Sequence, residues 1–438
     1  MRSMRHVLAA TAALALAGCG DNAHLPKGAS YGAHPVLPGP QQALLPLYNV
    51  PDAKGWKDAG APIPAPGLNV RAFASDLQHP RWLLVLPNGD VLVSEGNHGT
   101  QWADTMGFGG WLETLVERIQ GQFVKSPNKI VLLRDKDGDG TAETKTDFIT
   151  TGLNAPFGMA LVGNTLYVAD TDALLAFDYT PGATHIDGPG RKVTDLPGGP
   201  IDHHWTKNVI ASPDGSKLYV TVGSNSNAGE NGIAAEKDRA AIWEVDPKTG
   251  SHRIYASGIR NPNGMFWAPD GKLWVTVNER DEIGGDLVPD YMTSVQDGGF
   301  YGWPFSWYGQ HVEERIKPDD RRPDLVAKAI VPDYALGTHT ASLGLTWSGG
   351  ETLGPQFANG AFVGQHGSWN RKPLNGYRVA YVPFNGAMPS GAKPVDVLTG
   401  FLNADNAAQG RPVGVAIAKD GALLVADDEG NTVWRVSK

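Results

Sequence analysis

The sequence predicts an all-β protein closed as a six-bladed β-propeller with loop insertions and one short helix, and three observations predict it. The 55 glycines and 32 prolines make up about one residue in five of the 438, a density of backbone punctuators that long helices do not tolerate. Beyond the first 20 residues, no apolar run approaches the roughly 18 residues needed to span a bilayer. One short motif, a tight turn feeding an alternating strand, recurs along the body.

Along the chain, residues 1–19 read as a lipoprotein signal peptide. Arg2 and Arg5 precede the apolar stretch Val7–Ala17, and Leu16-Ala17-Gly18-Cys19 has the form of a bacterial lipobox, with Cys19 as the lipidated residue. The expected location is the periplasmic side of a membrane, on a lipid anchor. Residues 20–66, rich in Gly, Pro and Ala, read as a tether and lead-in segment. Residues 67–438 hold the repeats: Pro87–Val93 (PNGDVLV), Gly163–Val168 (GNTLYV), Pro213–Val220 (PDGSKLYV), Pro269–Val275 (PDGKLWV), Lys419–Val425 (KDGALLV), and a degenerate copy at Asn359–Val363 (NGAFV). Their glycines are 74, 52, 56, 89 and 61 residues apart, which are blade-sized intervals with insertions. One four-stranded blade cannot bury both faces alone, so such repeats close radially; a two-sheet sandwich is the alternative. Leu112, Leu115, Val116 and Ile119 follow helical spacing and predict the helix over Trp111–Ile119. The strand Thr432–Val436 is expected to complete a blade with residues near Leu68 to Phe73.

The net charge is −9 with no Lys/Arg-rich run, which argues against a nucleic-acid partner. The single cysteine, Cys19, excludes intrachain disulfides and thiolate metal sites in the body. No Gly-x-Ser-x-Gly elbow, His-Glu-x-x-His or βα phosphate loop occurs, so serine-hydrolase, zincin and nicotinamide-dehydrogenase readings lack support.

Five Gly/Pro-bounded loops carry the candidate chemistry: Gly152–Gly158, Asp202–Lys207, Gly258–Gly264, Gln365–Arg371 and Gln409–Val413. Adjacent His203 and His204 on an extended strand face opposite ways, so one imidazole is available as a general base; a capped loop histidine is the alternative. Arg260, Arg371 and Arg411 come from three repeats, and guanidinium groups converging on a channel call for an anionic ligand; surface ion pairs are the alternative. The acidic stretch Val277–Asp290 reads as a loop around Ca²⁺ or as a solvated acidic loop. Asp135–Glu143 begins like an EF-hand loop but has Thr146 at position 12, so an Asx-rich hairpin turn competes there with a peripheral Ca²⁺ site.

Together, Leu153–Ala160 (LNAPFGMA), Gly223–Asn227 (GSNSN), Ile259–Gly264 (IRNPNG), Asn278–Asp281 (NERD), Gly298–Pro304 (GGFYGWP) and Gly364–Arg371 (GQHGSWNR) resemble the quinoprotein sugar dehydrogenases. The resemblance is nearer to their L-sorbosone and aldose dehydrogenase branch and runs from about Leu68 to the C-terminus. It implies pyrroloquinoline quinone (PQQ) and Ca²⁺ as cofactors, His204 as the base and Arg260 as the stabiliser of the quinone oxyanion. It further implies Asn154, Asn261, Arg371, Arg411 and Lys372 as cofactor contacts, His339 and Trp369 over the quinone plane, and Glu279, Arg280 and Asp281 around the metal. Two departures stand out: Gly223-Ser224 replaces the acidic partner of the base, leaving Asp202 or Ser224 to orient it, and Val413 replaces a second basic residue. The implied partners are a sugar or aldehyde substrate, a respiratory electron acceptor and the membrane through the lipid alone. A Ca²⁺-dependent lactonase-like propeller and a non-catalytic glycan-binding propeller are the competing readings.

Overall fold

The computed structural model describes residues 22–41, 49–57, 60–97, 125–199 and 201–438. Cys19 and the expected helix over Trp111–Ile119 lie outside the described residues. Among the described residues, no helix is long and apolar enough to cross a membrane.

Each repeated turn joins the first two strands of one antiparallel sheet, and five of the six motif glycines (Gly89, Gly163, Gly215, Gly271 and Gly421) take the positive φ that such turns need. Six blades result, as the repeats predict. Blade 1 runs Pro80–Val85, Val91–Glu95, Lys129–Arg134 and Thr144–Ile149. Blade 2 runs Met159–Val162, Thr165–Ala169, Ala173–Asp178 and Arg191–Asp195. Blade 3 runs Val209–Ala211, Leu218–Val222, Ala241–Val245 and His252–Ser257. Blade 4 runs Asn261–Trp267, Leu273–Asn278, Pro289–Val295 and Tyr334–Thr338. Blade 5 runs Ser342–Trp347, Gly360–Gln365, Arg378–Asn385 and Val395–Thr399.

Blade 6 closes the ring. Its strands Pro412–Ile417, Leu423–Asp427 and Thr432–Ser437 take Asn69–Ala74 as the fourth, with Trp434 opposite Ala72 and Val436 opposite Val70. The expected pairing of the two ends is therefore present, and it ties the last strand to residues more than 350 positions earlier.

Six apolar clusters fill the six gaps between neighbouring blades, because each sheet buries both faces. A seventh, made of Trp82, Phe157, Leu343 and Val413 with Trp205 against it, joins residues from the start of several inner strands. The described parts of residues 20–66 clasp the propeller, in place of the tether that their composition predicts. Tyr31–Gly32 adds a strand to blade 4 and Ile63–Pro64 adds one to blade 5. The Trp56 indole donates to Asp427 at 2.7 Å. Gly and Pro disfavour regular structure but leave backbone groups ready to pair with exposed sheet edges.

The inner strands of blades 5 and 6 approach so closely that a Cβ on Gly344 would overlap the Val413 carbonyl. Gly344→Ala is expected to cost about 1–3 kcal/mol in denaturant unfolding. Gly39→Ala, with open space around its Cβ, is expected to stay within about 0.5 kcal/mol of the parent.

Candidate functional site

The repeated turns all lie at one end of the strands, so the loops that enter each blade and the loops after each second strand share the other end. The candidate residues sit on these loops. The Asp135–Glu143 turn lies at the opposite end, between the last two strands of blade 1. There Asp135 accepts from the backbone N–H groups of Gly138 and Gly140 at 2.7 and 2.9 Å, as in an Asx-rich hairpin turn, and oxygens of Asp135, Asp137, Asp139 and Glu143 lie within 4.8 Å of one another, so the turn and the peripheral cation readings both stay open.

His204 is 8% exposed on the loop entering blade 3. Its Nδ1 lies 2.9 Å from the Ser224 hydroxyl and 3.1 Å from the Ser224 carbonyl. A carbonyl only accepts, and the Ser224 hydroxyl already donates to the Ser226 carbonyl at 2.6 Å, so both contacts require a proton on Nδ1. The Nε2 lone pair is then the basic edge of the ring. Burial, followed by the charges of Arg260 and His203, holds the imidazole well below its ordinary value. Gly223 permits this arrangement, since a Cβ there would overlap the His204 Cβ and crowd Asn261 Oδ1 at 2.9 Å. Asp202 does not touch the imidazole. It pairs with fully buried Lys207 at 3.3 Å and with Arg239 at 2.5 Å, and Lys207 in turn donates to the His204 carbonyl at 3.1 Å.

Arg260 is buried at the entry to blade 4, donating to the Asn227 carbonyl and side chain at 3.0 and 2.8 Å and to the Glu279 carbonyl at 2.8 Å. Asp281, 3.7 Å away, supplies its counter-charge. Burial would raise the Asp281 carboxyl, but the hydrogen bond and charge of His339, then Arg260 and Asn370, bring it down to about 2. His339 faces acceptors on both ring nitrogens, Asp281 at 2.9 Å and the Gly284 carbonyl at 3.1 Å, so it is an imidazolium. Burial is the largest single effect and opposes that charge, but the hydrogen bond and charge of Asp281 together with the Gly284 hydrogen bond outweigh it and raise the His339 value. Trp369, His203, Asn227 and Asp281 line a cavity of about 210 Å³ beside this cluster.

His204, Arg260, Asn261, Asp281, His339 and Trp369 therefore belong to one neighbourhood on blades 3 to 5. Other expected residues turn elsewhere. Arg371 donates to the Gly285 and Pro373 carbonyls at 2.9 and 2.6 Å and lies 3.8 Å from Asp286, on a separate groove. Lys372 is exposed, and its carbonyl pairs with the Ala23 N–H at 2.9 Å. Asn154 is exposed, with its amide on Asp172 at 3.0 Å. His339 is occupied in its ion pair rather than presented as a cover. The Arg280 side chain is committed to Glu279 and Glu313, both at 3.1 Å. Of the two backbone carbonyls expected at Ca²⁺, those of Glu279 and Arg280, the first is met by Arg260, and the Asp281 carboxylate expected next to them is met by His339 and Asn370. Val413 is fully buried in the apolar cluster between the inner strands, so no charge is available at that position.

Arg411 lines a second cavity, of about 700 Å³, with Arg81, His79, His366 and Asp428. It donates to the Tyr377 hydroxyl at 3.0 Å and makes no ion pair among the described residues. Asp428 accepts from Arg81 and from His366 at 2.9 Å. Sequence reasoning missed Arg81, although a signal was present: like Arg411, it sits beside a proline at the entry to a blade. Ser226, Asn227, Glu236 and Asn370 were also missed, because only folding brings them to the base or to Asp281.

One end of this β-propeller thus gathers a buried imidazole held neutral, a buried guanidinium–carboxylate pair and a second cavity with two arginines. The particular family follows from comparison: the TrAA12-like family model matches residues 126–294 and 315–438, and the chain belongs to that family. An uncharacterized protein of Borreliella burgdorferi is 25% identical over 343 residues, covering 73% of this chain and 88% of its own. The chain is similar to the holo form of the pyranose dehydrogenase PQQ domain from Coprinopsis cinerea, with a TM-score of 0.68 and 19% identity over 89% of this chain and 100% of that one. It is also similar to the calcium structure of a Trichoderma reesei protein of Carbohydrate-Active Enzymes Family AA12, with a TM-score of 0.68 and 18% identity over 86% of this chain and 97% of that one. At these identities the two structures establish the fold.

In an imidazole NMR titration, His204 is expected to remain neutral at pH 6.5 and to take up its proton only at lower pH. Arg260→Met, which removes a nearby positive charge, is expected to move that midpoint upward.

Proposed function

We propose that the protein is a PQQ-dependent oxidoreductase acting on a sugar, with His204 as general base. The carrying observation is the tautomer: Nδ1 bears the proton and the ring is neutral, so Nε2 can accept a hydroxyl proton. Family membership and the PQQ named for the Coprinopsis cinerea relative support the reading.

The residues fit the cofactor's chemistry. Asn261 Oδ1 is buried without a hydrogen-bond partner beside His204, and the Arg411 guanidinium meets a phenol where a carboxylate would suit it better. Arg260 and Asn261 would serve the quinone end, and Arg411, Arg81 and His366 the carboxylates. When bound, PQQ supplies an acceptor for the hydride leaving the sugar carbon. His204 takes the hydroxyl proton at Nε2. Arg260, fixed by Asn227 and Glu279, presents positive charge to developing negative charge without having to reorganise. Asp281 keeps that guanidinium compensated while the site is buried. Arg260 already occupies the Glu279 carbonyl and His339 the Asp281 carboxylate, so these two groups fit Ca²⁺ poorly, and no step here uses a metal.

The 210 Å³ cavity is lined by Glu230, Asp281, Glu282 and Asp320 against Arg315 and Lys317, so it carries excess negative charge around the Trp369 ring. Such a lining suits a neutral aldose or an aldehyde sugar of the L-sorbosone kind and repels sugar acids. Anchoring through Cys19 on the periplasmic side, with electrons passing to a respiratory acceptor, completes the proposal.

Titrating the apoprotein with PQQ is expected to give a saturable change in quinone absorbance. Arg411→Ala is expected to weaken binding more than Arg371→Ala. His204→Ala is expected to keep the binding and lose about 100-fold to 10,000-fold in dye-linked sugar oxidation; absence of PQQ binding by the parent would refute the reading. Among oxidised sugars, a uronate is expected to show kcat/KM at least about tenfold below its neutral parent sugar, with Asp320→Asn narrowing the gap.

A further inference from the structure

His204 has no carboxylate in contact, yet the atoms that hold it lead to one. The peptide between Ser224 and Asn225 faces the base with one end and Glu236 with the other: its carbonyl lies 3.1 Å from His204 Nδ1, and its N–H donates to Glu236 Oε2 at 2.7 Å. A second path runs alongside. The Ser224 hydroxyl, 2.9 Å from Nδ1, donates to the Ser226 carbonyl at 2.6 Å, and the Ser226 hydroxyl donates to Glu236 Oε1. Gly229 N–H donates to the same Ser226 hydroxyl at 3.0 Å, which leaves that hydroxyl's proton for the carboxylate. Both oxygens of Glu236 are thus spent on Asn225 and Ser226, the two residues that follow Ser224, whose carbonyl and hydroxyl face the base. Glu236 is 8% exposed at the end of the single turn Ile233–Glu236.

These contacts bear on the chemistry through the tautomer. A Ser224 hydroxyl released from Ser226 could donate to Nδ1 instead, and a rotated Ser224–Asn225 peptide would withdraw the carbonyl that demands a proton there. Either change would favour the tautomer with its proton on Nε2, the edge that must accept the substrate proton.

We propose that Glu236 is the positioning residue of the base, acting on His204 through the Ser224–Asn225 peptide and the Ser226–Ser224 hydroxyl path. It does at one remove what a carboxylate in direct contact does elsewhere. The inference deepens the proposed function and rests on His204 being its base. The rival role is loop packing alone, in which Glu236 closes residues 224–230 without influencing the ring.

The test is nitrogen-15 NMR of histidine-labelled apoprotein, with the His204 signals assigned by their loss in His204→Asn, combined with steady-state kinetics of the PQQ-loaded enzyme. The parent is expected to show a protonated Nδ1 and an unprotonated Nε2. Glu236→Gln keeps the volume and one acceptor but sets an amide against the Asn225 N–H, and it is expected to shift both ring signals toward a mixture of tautomers. It is also expected to lower kcat roughly tenfold to 100-fold with KM within about twofold. Ser226→Ala removes the hydroxyl that ties this residue to Glu236, while its carbonyl still accepts from Ser224, and is expected to move the same signals by a smaller amount. An unchanged His204 tautomer in folded Glu236→Gln overturns the proposal; should that variant not fold, an unchanged tautomer in Ser226→Ala overturns it. Because the NMR measurement needs neither cofactor nor substrate, it judges the relay even if the parent neither binds PQQ nor oxidises a sugar, which is the separate failure of the proposed function.

Discussion

The carboxylate of Asp281 is the interaction on which the candidate site depends. It stands at the end of blade 4 and receives Arg260 from the entry to that blade, His339 from the entry to blade 5, and Asn370 from a loop within blade 5. Two buried positive charges, the guanidinium and the imidazolium, are tolerable only because this carboxylate stays ionised, and they in turn keep it so. The neighbouring imidazole of His204 then feels an uncancelled part of that positive field on top of its own burial, and it remains neutral. The two histidines are thus set in opposite senses: Asp281 holds His339 charged, whereas burial, followed by the charges of Arg260 and His203, keeps His204 neutral.

Such a cluster needs loops from different blades to be held in fixed register, and the ring supplies this. Apolar clusters in all six gaps bind each sheet to the next, and the strand shared between the chain's two ends closes the circle. The Trp82, Phe157, Leu343 and Val413 cluster packs inner strands where a polar opening would otherwise admit water. The lead-in segment adds a further constraint, since the Asn49 N–H donates to the Trp369 carbonyl at 2.7 Å and its amide donates to the Arg371 carbonyl at 2.7 Å. A segment whose composition reads as a tether thus steadies the loop that carries Trp369 and Asn370.

The difference between Asp202 and Ser224 shows where sequence reading stops. Both were candidates to orient His204, and nothing local separates them. Arg239, 37 residues after Asp202, and Lys207 claim the Asp202 carboxylate, because two buried cations need it more than a neutral ring does. Arg371 was expected on the cofactor and instead reaches Asp286, 85 residues earlier, which the sequence leaves in an acidic loop with no stated direction. Glu236 carried no motif at all; its standing comes from two hydrogen bonds that exist only once the loop after Val222 has folded back.

By itself the sequence determined the repeated unit and the number of blades, because tight turns, positive-φ glycines and alternating strands are local properties that survive being read in one dimension. It also determined which loops hold the polar residues. The tertiary structure decided which of those residues meet, which carry charge and which are spent on structural pairs. Those outcomes depend on burial and on distances between different blades, and such distances come into being only when the ring has closed.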